Sequence, residues 1–175
     1  MKLHLGCGKR NFGSDWVHVD RAEYPHVKYT NVVELPFEDN TVEVIYASHL
    51  FEYFDREGAK QVLKEWYRVL KPGGVLRLAV PDFKALCEVY MSGHRLDNVL
   101  GPLYGKMGES VIYHKTCYDF LSLSKVLGDS GFKDVHRYNW RNTEHSHIDD
   151  HSQAYFPHMD KENGKLISLN VEAKK

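Results

Sequence analysis

Short apolar runs alternate with amphipathic stretches along this chain. The alternation predicts strands at 2–5, 16–20, 27–30, 42–47, 75–80, 133–140 and 165–172. Val62, Leu63, Trp66, Val69 and Leu70 recur at helical spacing and predict a helix over 55–70, with Asp55 as its cap and Lys71-Pro72-Gly73-Gly74 as its stop. A second helix over 83–91 follows Pro81-Asp82, and a third over 117–129 opens at Thr116 and ends before Gly131. Strands alternating with helices point to an α/β domain with a mostly parallel sheet covered on both faces. Leu35-Pro36-Phe37-Glu38-Asp39-Asn40 is rich in turn residues and cannot continue a strand.

Two stretches fall outside a minimal alternating scaffold. Residues 92–116 carry Gly93, Gly101, Gly105 and Gly108 with Tyr104 and Tyr113, and residues 141–164 are polar and hold four histidines. Both leave strands whose carboxyl ends should line the crevice of an open sheet, so both are expected to recognise substrate. The plain alternative is a pair of surface loops without ligand contact.

The chain has 175 residues, enough for a single domain with one core, 1–175. Lys and Arg number 23 against 24 Asp and Glu, so no basic excess favours a nucleic-acid backbone. Cys7, Cys87 and Cys117 lack metal-ligand spacing, and Lys2 leads straight into the first strand, which predicts reduced thiols in the cytoplasm. No apolar stretch is long enough to span a bilayer, so no membrane contact is expected.

The most informative segment is Leu3-His4-Leu5-Gly6-Cys7-Gly8, followed by Trp16-Val17-His18-Val19-Asp20. Gly6 and Gly8 let the backbone turn sharply after the first strand and let a ligand approach it. Asp20 closes the second strand, where a carboxylate can accept both hydroxyl protons of a ribose. The third glycine of the dinucleotide fingerprint would fall at Asn11, so pyrophosphate binding is disfavoured. Only 11 residues, Gly6 to Trp16, join the two strands, which leaves room for a first helix of about one turn.

These residues resemble the class I S-adenosylmethionine-dependent methyltransferases, in particular small members that begin L-x-L-G-C-G and continue G-W-x-x-V-D. Further matches are Leu35 to Asn40, then Ile45-Tyr46-Ala47-Ser48-His49-Leu50-Phe51-Glu52, and Val69 to Gly74, covering residues 3–82 in the family's order. The resemblance implies a Rossmann-like, seven-stranded, mostly parallel sheet with the last strand antiparallel and a shortened first helix. It implies S-adenosylmethionine as cofactor, with Gly6, Cys7 and Gly8 at its methionine part, Asp20 at its ribose, and Leu5, Arg21 and Leu35 also among the cofactor-binding residues. Asn31 and the backbone of Val32 would meet the adenine, the Asn31 oxygen accepting from the amino group, with Ser48 and His49 beneath the sulfonium.

Methyl transfer then needs an acceptor held in line, dry, and near a base for a hydroxyl proton. His49 and His114 are the candidates for that base, or else residues that shape the pocket. Asp82 either orients the acceptor or starts the following helix. Tyr113 and Tyr155 could shield the cation through their ring faces. His145, His147, Asp149, His151 and His158 raise a metal hypothesis, but the segment looks too polar and irregular to preorganise ligands, and no metal is expected.

Neither the Ala47-Ser48-His49-Leu50 segment nor any cysteine suits base methylation. The polar loops suggest a small-molecule acceptor such as a sugar or another hydroxylated metabolite, and a homodimer is the assembly considered. The competing readings are a non-catalytic binding or partner protein on the same fold, and a nicotinamide enzyme, which Asn11 and the short crossover oppose.

Overall fold

The computed structural model describes residues 1–105 and 113–175; Gly108 lies outside the described residues. Its strands are β1 (Lys2–Leu5), β2 (Trp16–Val19), β3 (Val27–Tyr29), β4 (Val42–Ser48), β5 (Leu70–Pro81), β6 (Lys133–Arg137), β7 (Tyr155–Phe156), β8 (Lys165–Leu166) and β9 (Ser168–Lys174). The helices are α1 (Arg56–Val69), α2 (Phe83–Met91), α3 (Asp97–Tyr104) and α4 (Phe120–Asp129). Seven strands form one sheet in the order β3-β2-β1-β4-β5-β9-β6. The first five are parallel, and β9 lies antiparallel between β5 and β6.

Period-two alternation decides which side chains meet which layer. Leu3 and Leu5, Val17 and Val19, and Ile45 and Ala47 belong to one core that also holds Val62, Leu63 and Trp66 of α1. Each fully buried aliphatic side chain in this layer contributes roughly 1.5–3 kcal/mol of transfer free energy. The intervening residues His4, His18 and Tyr46 lie side by side in register on adjacent strands and are also buried.

That second face lacks the helix usual after a first strand, because residues 6–15 form turns only, closed by Arg10 N to Cys7 O and Trp16 N to Gly13 O. A parallel sheet must be covered on both faces. Phe12 stacks on His4 with ring centroids 3.9 Å apart, and His145 stacks on Phe12 at 4.4 Å. Part of the 141–164 stretch therefore covers the sheet, whereas the sequence assigns the stretch to substrate recognition.

Other boundaries move for local reasons. The Lys71-Pro72-Gly73-Gly74 run does stop α1, yet it lies inside β5, where Gly73 N donates to Lys175 O. Asp119 caps α4 through the amide of Ser122, so the helix starts three residues later than expected and leaves Cys117 outside it. β6 ends at Arg137, after which Trp140–Asn142 form a 3-10 turn. The final run splits at Ile167, so that Lys165–Leu166 pairs with Tyr155–Phe156 and only β9 joins the main sheet. The helix α3 lies within 92–116, where no helix was expected.

Candidate active site

The carboxyl ends of β1, β2 and β4 open on the same side. Gly6 and Gly8 both adopt positive φ, +64° and +54°, a region that penalises any residue with a Cβ. Gly6 N donates to Val19 O at 2.8 Å, tying the turn to the second strand. Asp20 completes the link: one carboxylate oxygen accepts from Gly8 N at 2.7 Å, the other from Ala22 N at 2.8 Å. An ionised carboxylate offers about four acceptor sites, so two remain for a diol. A Cβ on Gly8 would meet only Arg10 Nη1, at 3.9 Å, so space lies open above the turn.

The neighbouring residues take varied roles. Leu5 and Leu35 are core residues, and Arg21 is exposed. Burial and the nearby Asp20 push the Cys7 thiol up to about 12, which makes it a poor nucleophile. Asn31 Oδ1 accepts from Val33 N at 2.8 Å and Glu34 N at 3.2 Å, and Val32 O accepts from Trp66 Nε1. Both lone pairs of the Asn31 oxygen are thus engaged, which removes the acceptor expected for an adenine amino group. Ser48 Oγ, at the end of β4, is buried without a partner among the described residues.

Next to Ser48, His49 holds φ of +51°, a strained backbone for a residue with a Cβ. It lines a cavity of about 550 Å³ with Arg10, Tyr53, His114, Asp149, His151 and Tyr155. Parts of both non-scaffold stretches meet here. Behind the wall stands Glu52, fully buried, with Oε1 at 3.5 Å from His49 Nδ1 and 3.7 Å from His114 Nε2. Neither of its oxygens has a hydrogen-bond partner among the described residues. Burial pushes Glu52 up to about 8 and holds His49 and His114 below the usual imidazole range. Glu52 was not singled out from sequence; the available signal was one acid inside the apolar run Leu50 to Phe54.

Several expected site residues fall elsewhere. Asp82 caps α2 through Lys84 N and Ala85 N, pairs with Arg137 at 3.3 Å, and does not line the cavity. Tyr113 is exposed, and the Tyr155 hydroxyl is held by Arg141 at 3.0 Å. His145 is buried in the aromatic stack, and no group of three or more His, Cys, Asp or Glu among the described residues could hold a metal ion. His151 is exposed at the cavity mouth, 5.2 Å from His49 between ring centroids; partial burial and Arg10 hold it below its ordinary value. A larger hollow of about 820 Å³ between α1 and α4 contains none of these groups.

A family described as a methyltransferase domain matches residues 9–78. A crystal structure of a SAM-dependent methyltransferase from Archaeoglobus fulgidus superimposes with a TM-score of 0.62 at 17% identity, covering 99% of this chain and 85% of that one. The ubiquinone/menaquinone biosynthesis C-methyltransferase UbiE of Klebsiella pneumoniae is 38% identical over 148 residues, covering 78% of this chain and 55% of that protein. Residues 9–78 thus match a methyltransferase domain, and the whole chain shares the fold of solved S-adenosylmethionine-dependent methyltransferases.

A demethylmenaquinone methyltransferase of Chlorobaculum tepidum is 27% identical over 131 residues, or 66% of this chain and 51% of that protein. The chain thus spans about half the length of these curated relatives. A domain of this kind implies S-adenosylmethionine as cofactor. The chain's own residues fit that group: a glycine turn with open space above it, a carboxylate with acceptor sites to spare, and an orphaned Ser48 hydroxyl. No helix among the described residues is long and apolar enough to cross a membrane.

Proposed function

We propose that this chain transfers a methyl group from S-adenosylmethionine to a small-molecule acceptor held in the cavity beyond β4. The carrying observation is adjacency: β1 and β4 are paired, so the Gly6–Gly8 turn and the Ser48–His49 end of β4 sit side by side, with the cavity next to them. Bound S-adenosylmethionine supplies an activated methyl on a cationic sulfur. Asp20 holds the ribose diol, Gly6 and Gly8 admit the methionine part, and Ser48 offers its free hydroxyl to the donor.

The relatives' names support an aromatic quinol ring as the acceptor, methylated at carbon, in place of the sugar suggested by loop composition. A cavity of about 550 Å³ is within the range that encloses a small organic ligand. Carbon methylation of such a ring would start with loss of a hydroxyl proton, so that the ring carbon can bond the methyl as its bond to sulfur breaks and S-adenosylhomocysteine leaves. The hydrogen on that carbon is then lost as a proton and the oxygen is reprotonated, for a net release of one proton. His151 takes the hydroxyl proton in this reading. His151 lines the cavity and is held below its ordinary value by partial burial, whereas both ring nitrogens of His49 and of His114 already have neighbours.

Calorimetric titration with S-adenosylhomocysteine should show binding, and label should pass from methyl-labelled S-adenosylmethionine to a naphthohydroquinone lacking the ring methyl. Absence of S-adenosylhomocysteine binding would sink the donor assignment. Binding without transfer to that probe would remove the quinol acceptor alone.

A further inference from the structure

The hydrogen bonds around Glu52 determine where the protons of two imidazoles sit. The Ser152 carbonyl can only accept, so Asn170, 2.8 Å away, turns Nδ2 toward it. Asn170 Oδ1 then faces Ser168 Oγ at 2.9 Å and takes that hydroxyl's single proton. Ser168 Oγ has only lone pairs left for His49 Nε2, at 3.2 Å, so Nε2 carries this ring's proton. His49 Nδ1 therefore points a lone pair at Glu52 Oε1. His114 Nδ1 lies 3.1 Å from the Pro102 carbonyl and must donate to it, which leaves the Nε2 lone pair facing the same Oε1.

An ionised Glu52 would set an anion against two lone pairs, whereas a protonated one can turn its O–H toward either, across contacts of 3.5 and 3.7 Å that are longer than a formed hydrogen bond. We propose that Glu52 is a positioning residue: a single carboxyl proton, offered to the lone pairs of both rings, holds His49 and His114 as neutral imidazoles and keeps this cavity wall uncharged. An uncharged wall suits a neighbour that carries a cationic sulfur, since an imidazolium there would repel it. In that respect the inference rests on the methyl-transfer reading; the proton arrangement itself does not.

Other titratable groups face the cluster. Tyr53 meets the His114 ring edge-on at 4.7 Å, Tyr118 neighbours Glu52, and Arg10 and His151 act on His49. The two tyrosines are pushed up by burial and stay neutral near pH 7, and Arg10 disfavours a charged His49. From the segment that returns past the cluster, Lys115 and Thr116 donate backbone N–H groups to the Glu52 carbonyl, which fixes the acid's backbone.

The test is nitrogen NMR on the full chain with 15N-labelled histidine and S-adenosylhomocysteine present, the two rings assigned through H49Q and H114Q. At pH 7 His49 should be the Nε2–H tautomer and His114 the Nδ1–H tautomer, and both signals should follow one common transition near pH 8 as Glu52 ionises. In E52Q the amide N–H still serves the rings, so the tautomers should persist while the common transition disappears.

A cationic ring at pH 7, the opposite tautomers, independent transitions, or a transition that survives in E52Q would overturn the proposal. If E52Q does not fold, the tautomers and the common transition of the unaltered chain decide. Calorimetry on the same samples separates the two ideas: failure to bind S-adenosylhomocysteine counts against the donor assignment, whereas the tautomers count for or against Glu52.

Discussion

The Tyr46 hydroxyl donates to Asp150 Oδ2 at 2.5 Å, joining residues 104 positions apart in the chain. The bond anchors the segment that covers the helix-poor face of the sheet to the middle of β4. Asp150 Oδ1 meanwhile accepts from Ser152 N and caps the short turn that carries His151. Tyr46→Phe leaves a buried carboxylate oxygen without its donor, at a cost of about 2 kcal/mol. The melting temperature should fall by roughly 4–8 °C. Differential scanning calorimetry checks this, and an unchanged transition would show that the bond does not anchor the cover.

Asp20→Ala removes the carboxylate proposed to hold the ribose diol, while the strands on either side keep their pairing. Affinity for S-adenosylhomocysteine should drop about 100-fold, close to 2.7 kcal/mol, in line with the loss of charge-assisted hydrogen bonds. Isothermal titration gives the affinity, and circular dichroism confirms that the fold persists. Full affinity in a folded variant would contradict the donor assignment.

Gly6→Ala tests the turn itself. At φ +64° a Cβ is strained, and it would stand 3.1 Å from three carbons of Leu50. Strain of about 1–2 kcal/mol should appear as lost stability in urea unfolding, together with weaker donor binding. Equal stability and equal affinity would show that the turn tolerates a side chain.

His4 is pushed down to about 2, first by burial and then by His18 and His145. Below its ordinary value of 6.5 the unfolded chain takes up a proton that the native chain refuses, so stability falls as pH drops from 6.5 toward 2. His18 and His145 act in the same direction. His4→Phe can stack on Phe12 without titrating. Relative to the unaltered chain it should gain about 2 kcal/mol between pH 7.5 and pH 5, measured by urea unfolding at both values. A constant difference would refute the assignment.

Glu52 carries the opposite slope. The native state keeps its proton up to about 8, whereas the unfolded acid releases it near 4.5, so stability falls as pH rises through that window. Glu52→Gln abolishes this loss. Its melting temperature should match the unaltered protein near pH 5 and exceed it increasingly toward pH 8. A gap that is the same at both ends would mean that Glu52 does not titrate as described.

Local patterns made the scaffold readable. The α1 stripe of Val62, Leu63 and Trp66, the Asp55 cap, and the apolar runs of β1, β2 and β4 each depend on neighbours within a few residues. The Gly6–Gly8 turn and Asp20 were legible for the same reason, since a positive-φ turn and a strand-ending carboxylate are local requirements. The segment 92–116 was less readable: α3 is eight residues long with Pro102 inside it, and only Val99 among its residues is buried.

Sequence alone therefore determined the α/β class, the order of the first five strands along the chain, and the Gly6–Gly8 turn. Only the tertiary structure decided that the segment carrying His145 and Asp150 covers the face of His4 and Tyr46 that lacks a helix, and that Asn31 and Asp82 use their oxygens on nearby backbone amides. It also decided that Glu52 faces both His49 and His114. Those outcomes depend on contacts between positions tens of residues apart and on burial that strips water from polar groups, and neither leaves a periodic trace in the order of residues.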